Sequence, residues 1–483
     1  MRIRLPGLAL LACALALAGC EERETGPVLV SAIGSPARLV NPNLEPLDPP
    51  SALMLEATAQ GLVRFDASGQ IEPALAQSWI VSDDGLRYTF RLARTEWSGG
   101  GTVTAKQVTE RLRAALSRAS RNPLKPILGA VAEIEAMTHD VLEISLVGPR
   151  PNFLQMLAQP ELAILLKGRG TGPYRAEPRG DGAMYLSMHR DDDQEEEAPH
   201  GADIILRGEP AAVAVARFGT ARADLVTGGT IGDLPIARAA EPPAAALRFD
   251  PVAGLYGLAF ASRDGMWASV EARQALSMAL DREALVAALA VPNLQPRASI
   301  VPPGVDELPQ PAQPDWAALG QAERRQAAAE IVSRLGGSDR PRLRVALPAG
   351  PAYRLIFAHL RRDWRAIGVD AERVAAGAPA DLRIIDQVAP VGLASWYLRH
   401  FTCSAAAICS AEAEAMLVAA RRAPNASERQ TALAAADRAI AATVPFIALA
   451  APVRWSLVSD RLGGFQVNPF GRRFPGGLVA ARR

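Results

Sequence analysis

The sequence predicts an α/β protein of two lobes. The chain has 483 residues, which is too long for one hydrophobic core and suits two or three domains. Segments with the two-residue period of a strand alternate with segments that have the period of an amphipathic helix, and this alternation is typical of α/β lobes. A predicted strand at 255–260 and the tail from 457 are placed to cross between the lobes, which predicts a hinge with a ligand between them.

The first twenty residues predict a signal peptide. A basic start at 1–4 precedes an apolar run at 8–17 that is too short to span a bilayer, and Leu17-Ala-Gly-Cys20 follows. The small residues before Cys20 favour a lipoprotein that is cleaved there and carries lipid on Cys20. A plain secretory signal with an incidental cysteine is the alternative. No other segment of the sequence has the run of roughly 18 apolar residues that a transmembrane helix needs.

The segment 61–116 predicts a hairpin followed by a capped helix. Alternating apolar residues at 86–92 predict a half-buried strand, and the turn Asp83-Asp-Gly85 joins it to a partner strand at 79–81. Thr104 lies three residues before Gln107, which is the spacing of a capping box, so a helix is expected at 104–119. Each piece alone is ordinary structure, and only the order of the whole segment is distinctive.

The same patterns predict the remaining elements. Ser427 and Gln430 have the spacing of a second capping box, so Ser427 is expected to begin a helix that Pro445 ends. The other predicted strands lie at 28–33, 62–65, 141–147, 255–260, 343–347 and 382–385. The other predicted helices lie at 270–289, 323–335 and 353–367.

Several motifs occur in the order in which one protein family has them. They are Pro73-Ala-Leu-Ala-Gln-Ser-Trp79, Ser82-Asp-Asp-Gly85, Gly170-Thr-Gly-Pro-Tyr174, Arg273-Gln-Ala-Leu-Ser-Met-Ala-Leu-Asp-Arg282 and Leu462-Gly-Gly-Phe-Gln-Val-Asn-Pro469. Together they resemble the peptide/nickel (family 5) extracellular solute-binding proteins of ABC importers over nearly the whole mature chain. The chain departs from the family pattern at Gln60, Gly99 and Gln107.

This resemblance implies a fold and a role. The fold would be the two-lobe periplasmic binding protein fold, type II and cluster C-like, with an extra subdomain on the N-terminal lobe. The implied parts are a lipoprotein signal peptide at 1–20, lobe I at 21–50, 168–254 and 457–483, the subdomain at 51–167, and lobe II at 255–456. The role would be that of a monomeric, lipid-anchored periplasmic protein that captures a peptide or similar small solute and delivers it to ABC permease and ATPase subunits.

The stretch from Asp386 to Trp396 bears on the ligand. Peptide binders of the resembled family usually have Gly-Trp here, with an aspartate shortly afterwards that pairs with the α-amino group of the peptide. This chain has Asp386-Gln387 instead, and no acid between 388 and 397, so the amine-pairing carboxylate is absent or moved. A buried ammonium needs such a partner. The alternative role is therefore a sensor or scaffold lipoprotein that keeps the fold and has lost ordinary peptide capture.

Five residues are candidates for ligand binding. Asp386 and Gln387 occupy the place of the family's Gly-Trp, and Asp386 is equally open to being a solvent-facing strand end. Tyr256 lies where relatives place an aromatic residue of the pocket. Trp396 and Phe465 are candidates for lining the cleft or for packing in a core.

Two cysteines, Cys403 and Cys409, remain in the mature chain beyond the lipid site. Members of the resembled family often carry a disulfide here, and an oxidising periplasm permits one. Two unpaired thiols are the alternative. The spacing, with no histidine between the cysteines, is a poor metal site.

Other functional classes find little support in the sequence. The chain has no His-Glu-x-x-His, Gly-x-Ser-x-Gly or phosphate-binding Walker loop, so we expect neither an enzyme nor a cofactor. A formal net charge of +1 gives no electrostatic footprint for nucleic acid. The five histidines are far apart, which weakens the nickel branch of the resembled family. An acidic run at 191–197 is expected to be a solvated loop rather than a calcium site.

Overall fold

The computed structural model describes residues 25–189, 201–337 and 340–481. The predicted signal peptide with Cys20, and the acidic run at 191–197, lie outside the described residues. Within the described ranges, no helix combines the length and the apolar character that a membrane span requires.

The strands of the described residues form five sheets. In chain order the strands are β1 (Thr25–Gly26), β2 (Val28–Ile33), β3 (Val63–Phe65), β4 (Ile71–Pro73), β5 (Ala76–Val81), β6 (Arg87–Leu92), β7 (Val131–Ala136), β8 (Val141–Leu146), β9 (Tyr174–Pro178), β10 (Met184–Met188), β11 (Ile204–Glu209), β12 (Leu225–Thr230), β13 (Leu247–Phe249), β14 (Gly254–Phe260), β15 (Arg342–Leu347), β16 (Asp370–Ala375), β17 (Leu382–Val388), β18 (Phe446–Ala450), β19 (Arg454–Val458), β20 (Leu462–Gly463) and β21 (Val479–Ala481).

Helices cover these sheets. In chain order the α-helices of the described residues are α1 (Pro49–Thr58), α2 (Ala105–Leu116), α3 (Phe153–Leu157), α4 (Ala211–Gly219), α5 (Leu234–Ala239), α6 (Val270–Ala279), α7 (Arg282–Leu289), α8 (Gln321–Gly336), α9 (Pro351–Ala366), α10 (Ala394–Arg399), α11 (Ala411–Arg422) and α12 (Ala426–Thr443).

The largest sheet has seven strands, in the order β13-β19-β12-β2-β11-β10-β9. Its central strand β2 pairs in parallel with β11 and β12. Val28, Val30 and Ala32 are buried on one face of β2, and Ser31 is buried on the other, as expected for a central strand that is covered on both faces. The predicted strand at 28–33 is confirmed.

A second mixed sheet has five strands, in the order β16-β15-β17-β14-β18. The chain enters it between Phe249 and Gly254 and returns to the seven-stranded sheet between Ala450 and Arg454. The two large sheets are therefore joined by two short, neighbouring segments. The division of the chain into lobes and a subdomain at the residues given above stays a prediction.

The predicted hairpin lies in an antiparallel sheet of four strands, ordered β5-β6-β8-β7. Trp79 pairs with Phe90 across β5 and β6, which confirms the hairpin. Thr104 Oγ1 accepts the Gln107 N–H at 3.2 Å, and Gln107 Oε1 accepts the Thr104 N–H at 3.1 Å. The capping box is confirmed, and the departure at Gln107 completes it. The helix ends at Leu116 rather than at 119.

Two helix predictions are wrong. The segment 270–289 forms two helices, α6 and α7, because Asp281 Oδ1 accepts the Ala284 N–H at 2.9 Å and begins a new helix inside one continuous apolar pattern. The last long helix starts earlier than predicted, since Asn425 Oδ1 accepts the Glu428 N–H at 2.9 Å. Asn425 is therefore the cap, and Ser427 lies inside α12.

Candidate ligand-binding cleft

A cleft with a volume of about 1410 Å³ lies where three parts of the chain meet. Its first wall comprises residues 46–56, 227–230, 454 and 470–473. The second wall comprises residues 120–129, 159 and 161, and the third comprises residues 387–390, 396–405 and 414–421. The volume exceeds that of most small-molecule pockets, so a ligand of several residues or equivalent size would fit.

Asp48 fixes the first wall at the start of α1. Its Oδ1 accepts the Ser51 N–H at 3.1 Å, and its Oδ2 accepts the Ser35 N–H at 2.9 Å. Pro49 follows at the first helical position, where a missing N–H costs nothing. The cap and the proline together place the first turn of α1 at the edge of the cleft.

The tail loop, residues 468–473, also belongs to the first wall and is held by Asn468. This side chain is buried, and its Oδ1 accepts the N–H groups of Phe470 and Arg472 at 3.2 and 3.3 Å. Arg473 beside it is buried in a bidentate ion pair with Asp250. These contacts give the motif that ends at Pro469 a structural role, because they hold the backbone so that the Arg472 side chain lines the cleft.

Asn122 organises the second wall. Its Oδ1 accepts the Leu124 N–H at 3.0 Å, while its Nδ2 donates to the Glu161 carbonyl at 2.6 Å and to Asn43 Oδ1 at 2.9 Å. The loop 120–129 is thereby tied to the segment that carries Glu161. Glu161 Oε1 in turn forms an ion pair with Arg472 of the first wall at 2.6 Å.

Trp396, Gln387 and His400 form part of the third wall. Trp396 is 8% exposed and lines the cleft, so it is both packed and accessible. Nδ1 of His400 lies 2.8 Å from the Trp396 carbonyl, and Nε2 lies 2.9 Å from the Gln387 side-chain amide. Burial lowers the pKa of His400. The ring links the two ends of this wall, because Nδ1 faces the Trp396 carbonyl and Nε2 faces Gln387 Oε1.

Asp386 is paired within the protein. Arg454 Nη1 lies 2.7 Å from Asp386 Oδ1, and this ion pair joins β17 of the five-stranded sheet to β19 of the seven-stranded sheet. Arg454 lines the cleft, whereas Asp386 does not reach its lining. A ligand amine at Asp386 would therefore compete with Arg454.

Tyr256 and Phe465 lie away from the cleft lining. Tyr256 is fully buried opposite Asp386 on the neighbouring strand, and its hydroxyl has no hydrogen-bond partner among the described residues. Burial, followed by the nearby Tyr353 and Asp386, raises the pKa of Tyr256. Phe465 lines a second pocket of about 960 Å³ and lies under the Arg473 guanidinium, 4.7 Å from its ring centroid.

A buried carboxyl group faces the cleft at Glu56. Its Oε1 has no hydrogen-bond partner among the described residues. Burial raises the pKa of Glu56 to about 8, against the opposing effect of Arg472. Glu56 is therefore mostly protonated at pH 7 and can donate a hydrogen bond to a ligand acceptor.

Cys403 and Cys409 lie beside the third wall, and their sulfurs are bonded to each other in the structure. The loop they close leads into α11, whose first turn is capped by Ser410. Among the residues that the structure describes, no group of three or more His, Cys, Asp or Glu side chains is arranged to hold a metal ion.

The family model for "Bacterial extracellular solute-binding proteins, family 5 Middle" matches residues 70–398. This match covers more than half of the chain. The chain belongs to the family 5 extracellular solute-binding proteins. The residues of the opening hairpin, the cleft lining at 120–129 and 387–390, and Trp396 all fall within the matched range.

Curated relatives of this family 5 protein align over short segments. The nickel-binding periplasmic protein of Escherichia coli K12 is 31% identical over 124 residues, which is 24% of each chain. The glutathione-binding protein GsiB of the same strain is 28% identical over 182 residues, or 35% of each chain. The chain thus aligns with about a quarter to a third of the length of these two relatives. Both are binding proteins rather than enzymes by their names.

Solved structures agree in fold over almost the whole chain. Haemophilus influenzae OppA, in complex with the peptide RPPGFSPFR, superposes with a TM-score of 0.82 at 16% identity, over 95% of this chain and 99% of that one. The murein tripeptide binding protein MppA of Escherichia coli superposes with a TM-score of 0.81 at 17% identity, with the same coverage. The periplasmic binding protein fold implied by the sequence motifs is confirmed.

Sequence patterns did not point to several cleft residues. Glu56, Arg399, Arg421, Arg454 and Arg472 line the cleft, and none of them belongs to a motif of known chemistry. An arginine in the last turn of a helix is most often exposed to solvent, so Arg399 and Arg421 drew no attention in the sequence. Only the tertiary arrangement shows that Arg399 and Arg421, at the ends of α10 and α11, lie on the same wall.

Proposed function

We propose that this family 5 protein is the substrate-binding component of an ABC importer. It captures a peptide or similar small solute between its lobes and delivers it to a membrane permease with an ATPase. The single observation that carries the proposal is the cleft of about 1410 Å³ at the meeting point of three parts of the chain, in a fold whose family is defined by solute binding. Closure of two lobes over a ligand is the expected mode of capture.

The same proposal places the protein in the periplasm as a monomer held by lipid on Cys20. The signal sequence that ends at Cys20 supports the anchor, and the nickel-binding relative named above is described as periplasmic. No nucleic acid, cofactor or resident metal takes part, and the protein is not an enzyme. Cys403 and Cys409 are proposed to form a disulfide that holds the entry to α11 beside the cleft.

The ligand contacts we propose are those that line the cleft, Gln387 and Trp396 among the residues singled out from the sequence. Tyr256 and Asp386 support them from the layer behind, through the Asp386–Arg454 ion pair at 2.7 Å. Phe465 is proposed to act indirectly, through its contact with Arg473 at the base of the tail loop.

Native mass spectrometry of freshly purified protein tests the proposal, because binding proteins often retain their ligand. We expect a peptide or metabolite to co-purify with the protein. When the same molecule is added back to protein that was unfolded and refolded without ligand, the radius of gyration should decrease. An empty cleft, with no thermal shift and no change in small-angle scattering on adding peptide or metabolite pools, would contradict transport.

An empty cleft that responds to no peptide or metabolite would favour the sensor or scaffold role. The observation behind this alternative is that Asp386 is already paired with Arg454 and that residues 388–397 contain no acid. A neighbouring permease gene would favour transport, whereas a signalling neighbour would favour the alternative.

A further inference from the structure

Four guanidinium groups gather behind and on the third wall of the cleft. They belong to Arg150, Arg399, Arg421 and Arg429, and we call them the arginine cluster. Burial lowers the pKa of Arg399 to about 10, and repulsion from the charges of Arg421, Arg429 and Arg150 adds to this effect. Burial, followed by the charges of Arg429 and Arg421, lowers the pKa of Arg150 to about 10, against the opposing effect of Glu307. Like charges in such a setting oppose one another strongly.

Two members of the arginine cluster have structural partners. Arg429 Nε forms an ion pair with Glu307 at 2.6 Å, and its Nη1 donates to the Ala420 carbonyl at 3.0 Å. Arg150 donates to the carbonyls of Pro149 and Arg421 at 2.7 and 3.0 Å. In the part of the chain that the structure describes, Glu307 is thus one acidic partner for four cations, which leaves excess positive charge beside the cleft.

The other two members, Arg399 and Arg421, line the cleft. Among the residues that the structure describes, neither side chain has a hydrogen-bond or ion-pair partner, and the buried Nε of Arg421 is left without an acceptor. The Arg421 guanidinium also lies close to Gly129 of the second wall, since a Cβ at that glycine would be 3.7 Å from its Nη1. Buried donors without acceptors are costly, and an acceptor entering from the cleft would remove that cost.

Other charges of the cleft do not compensate this corner. Arg454, Arg472 and Arg473 are paired with Asp386, Glu161 and Asp250 respectively. Glu414 Oε1 accepts the Cys403 N–H at 2.7 Å and is not among the groups that act on Arg399. Within the described ranges, the Arg399 and Arg421 corner therefore remains an uncompensated cationic site with forked donors, which suits a planar or tetrahedral oxyanion.

We propose that Arg399 and Arg421 bind an oxyanion of the ligand, a carboxylate or a phosphate, with Arg150 and Arg429 as the charged support behind them. This inference rests on the proposed function, since it assigns a chemical class to the solute that enters the cleft. The ligand is then an acidic peptide or a phosphorylated small molecule rather than a neutral or cationic one.

Isothermal titration calorimetry of the purified protein with three probes tests the inference. The probes are Ala-Asp-Ala, the carboxylate-free Ala-Asn-Ala amide, and inorganic phosphate. We expect Ala-Asp-Ala or phosphate to bind at least tenfold more tightly than the amide. Arg399→Gln and Arg421→Gln should each lower the affinity for that anionic probe at least tenfold. Arg422→Gln is the matched control, because Arg422 is the exposed neighbour on α11 and does not line the cleft. Its affinity should be unchanged.

The outcomes separate the oxyanion site from peptide capture. Equal binding of both peptides, unaffected by the two variants, would leave capture intact and overturn the oxyanion site. Binding of phosphate alone, lost in both variants, would leave the oxyanion site intact and overturn peptide capture. Binding of none of the three probes would overturn both. Carboxylate and phosphate ligands are told apart by which of the two anionic probes binds more tightly.

A second measurement covers variants that fail to fold. Phenylglyoxal modification of the wild-type protein, read by peptide mass spectrometry, should label Arg399 and Arg421, and saturating anionic probe should protect both. Arg422 should be labelled equally with and without the probe. Unchanged labelling of Arg399 and Arg421 in the presence of a bound anion would contradict the inference.

Discussion

At the residue scale, burial decides which charged groups are poised to meet a ligand. Asp386 was a candidate from sequence, yet Arg454 satisfies it. Glu56 and Arg421 were not candidates, yet each presents a buried polar atom without a partner among the described residues. Sequence patterns could not reveal this difference, because whether a carboxylate or a guanidinium is satisfied depends on residues far away in the sequence; Asp386 and Arg454 are 68 positions apart.

Glu56→Gln should make stability less dependent on pH. The folded-state pKa of Glu56 is about 8, above the ordinary glutamate value, so the native state holds a proton that the unfolded state releases. Stability from this group is therefore complete below about pH 4.3 and is lost as the pH rises towards 8. Relative to wild type, the variant should gain about 3 kcal/mol at pH 8 compared with pH 5. Urea unfolding at both pH values checks this, and an equal gain at both would contradict it.

Arg399→Gln should raise the stability of the ligand-free protein. Removing one cation from the arginine cluster relieves repulsion with Arg150, Arg421 and Arg429, and removing such a cost typically gives about 0.5–2 kcal/mol. Thermal unfolding in buffer without phosphate measures the gain, with Arg422→Gln for comparison. A loss of stability in Arg399→Gln would show that the guanidinium has a structural partner instead.

At the scale of elements, the sequence predicted secondary structure correctly where all local signals of an element agreed. The hairpin of β5 and β6 and the capping box of α2 were predicted correctly, because alternation, turn residues and cap spacing all agree within a few positions. The break between α6 and α7 was missed, since apolar residues continue on both sides of Asp281. The start of α12 was misplaced because Asn425 and Ser427 both have capping side chains, and only the backbone conformation at Asn425 decides between them.

Asn425→Ala should destabilise the protein by about 1 kcal/mol, because it leaves the Glu428 N–H of α12 without its acceptor. Ser427→Ala is the matched control, since Ser427 is exposed, lies inside the helix and is replaced by a better helix former. Urea unfolding of the two variants should therefore separate them. If Ser427→Ala were the more damaging change, the cap assignment would be wrong.

At the scale of the whole molecule, the motif order in the sequence was enough to predict the fold, because it extends over nearly the whole chain. The cleft was expected between lobes, but its lining was not, since that lining combines the start of α1, the loop 120–129, the end of β17 and the tail loop. These segments are far apart in sequence and are brought together only by packing.

Asp250→Asn should strongly lower the free energy of unfolding. Asp250 and Arg473 are both almost fully buried, and the substitution leaves a buried guanidinium without its counter-charge, at a cost of about 3–5 kcal/mol. The tail loop carries Arg472 into the cleft, so ligand affinity should fall as well. Urea unfolding and probe titration measure both effects. Asp460→Asn, at an exposed site, should change neither.

The two chain segments at 249–254 and 450–454 also set the mechanics of the molecule. A rotation of one large sheet relative to the other about these neighbouring links moves each atom in proportion to its distance from them. Arg454 directly follows the second link, so its bond to Asp386 lies almost on the pivot and has a short lever arm. A rotation of one sheet relative to the other can therefore leave this ion pair closed, while cleft residues farther from the links move more.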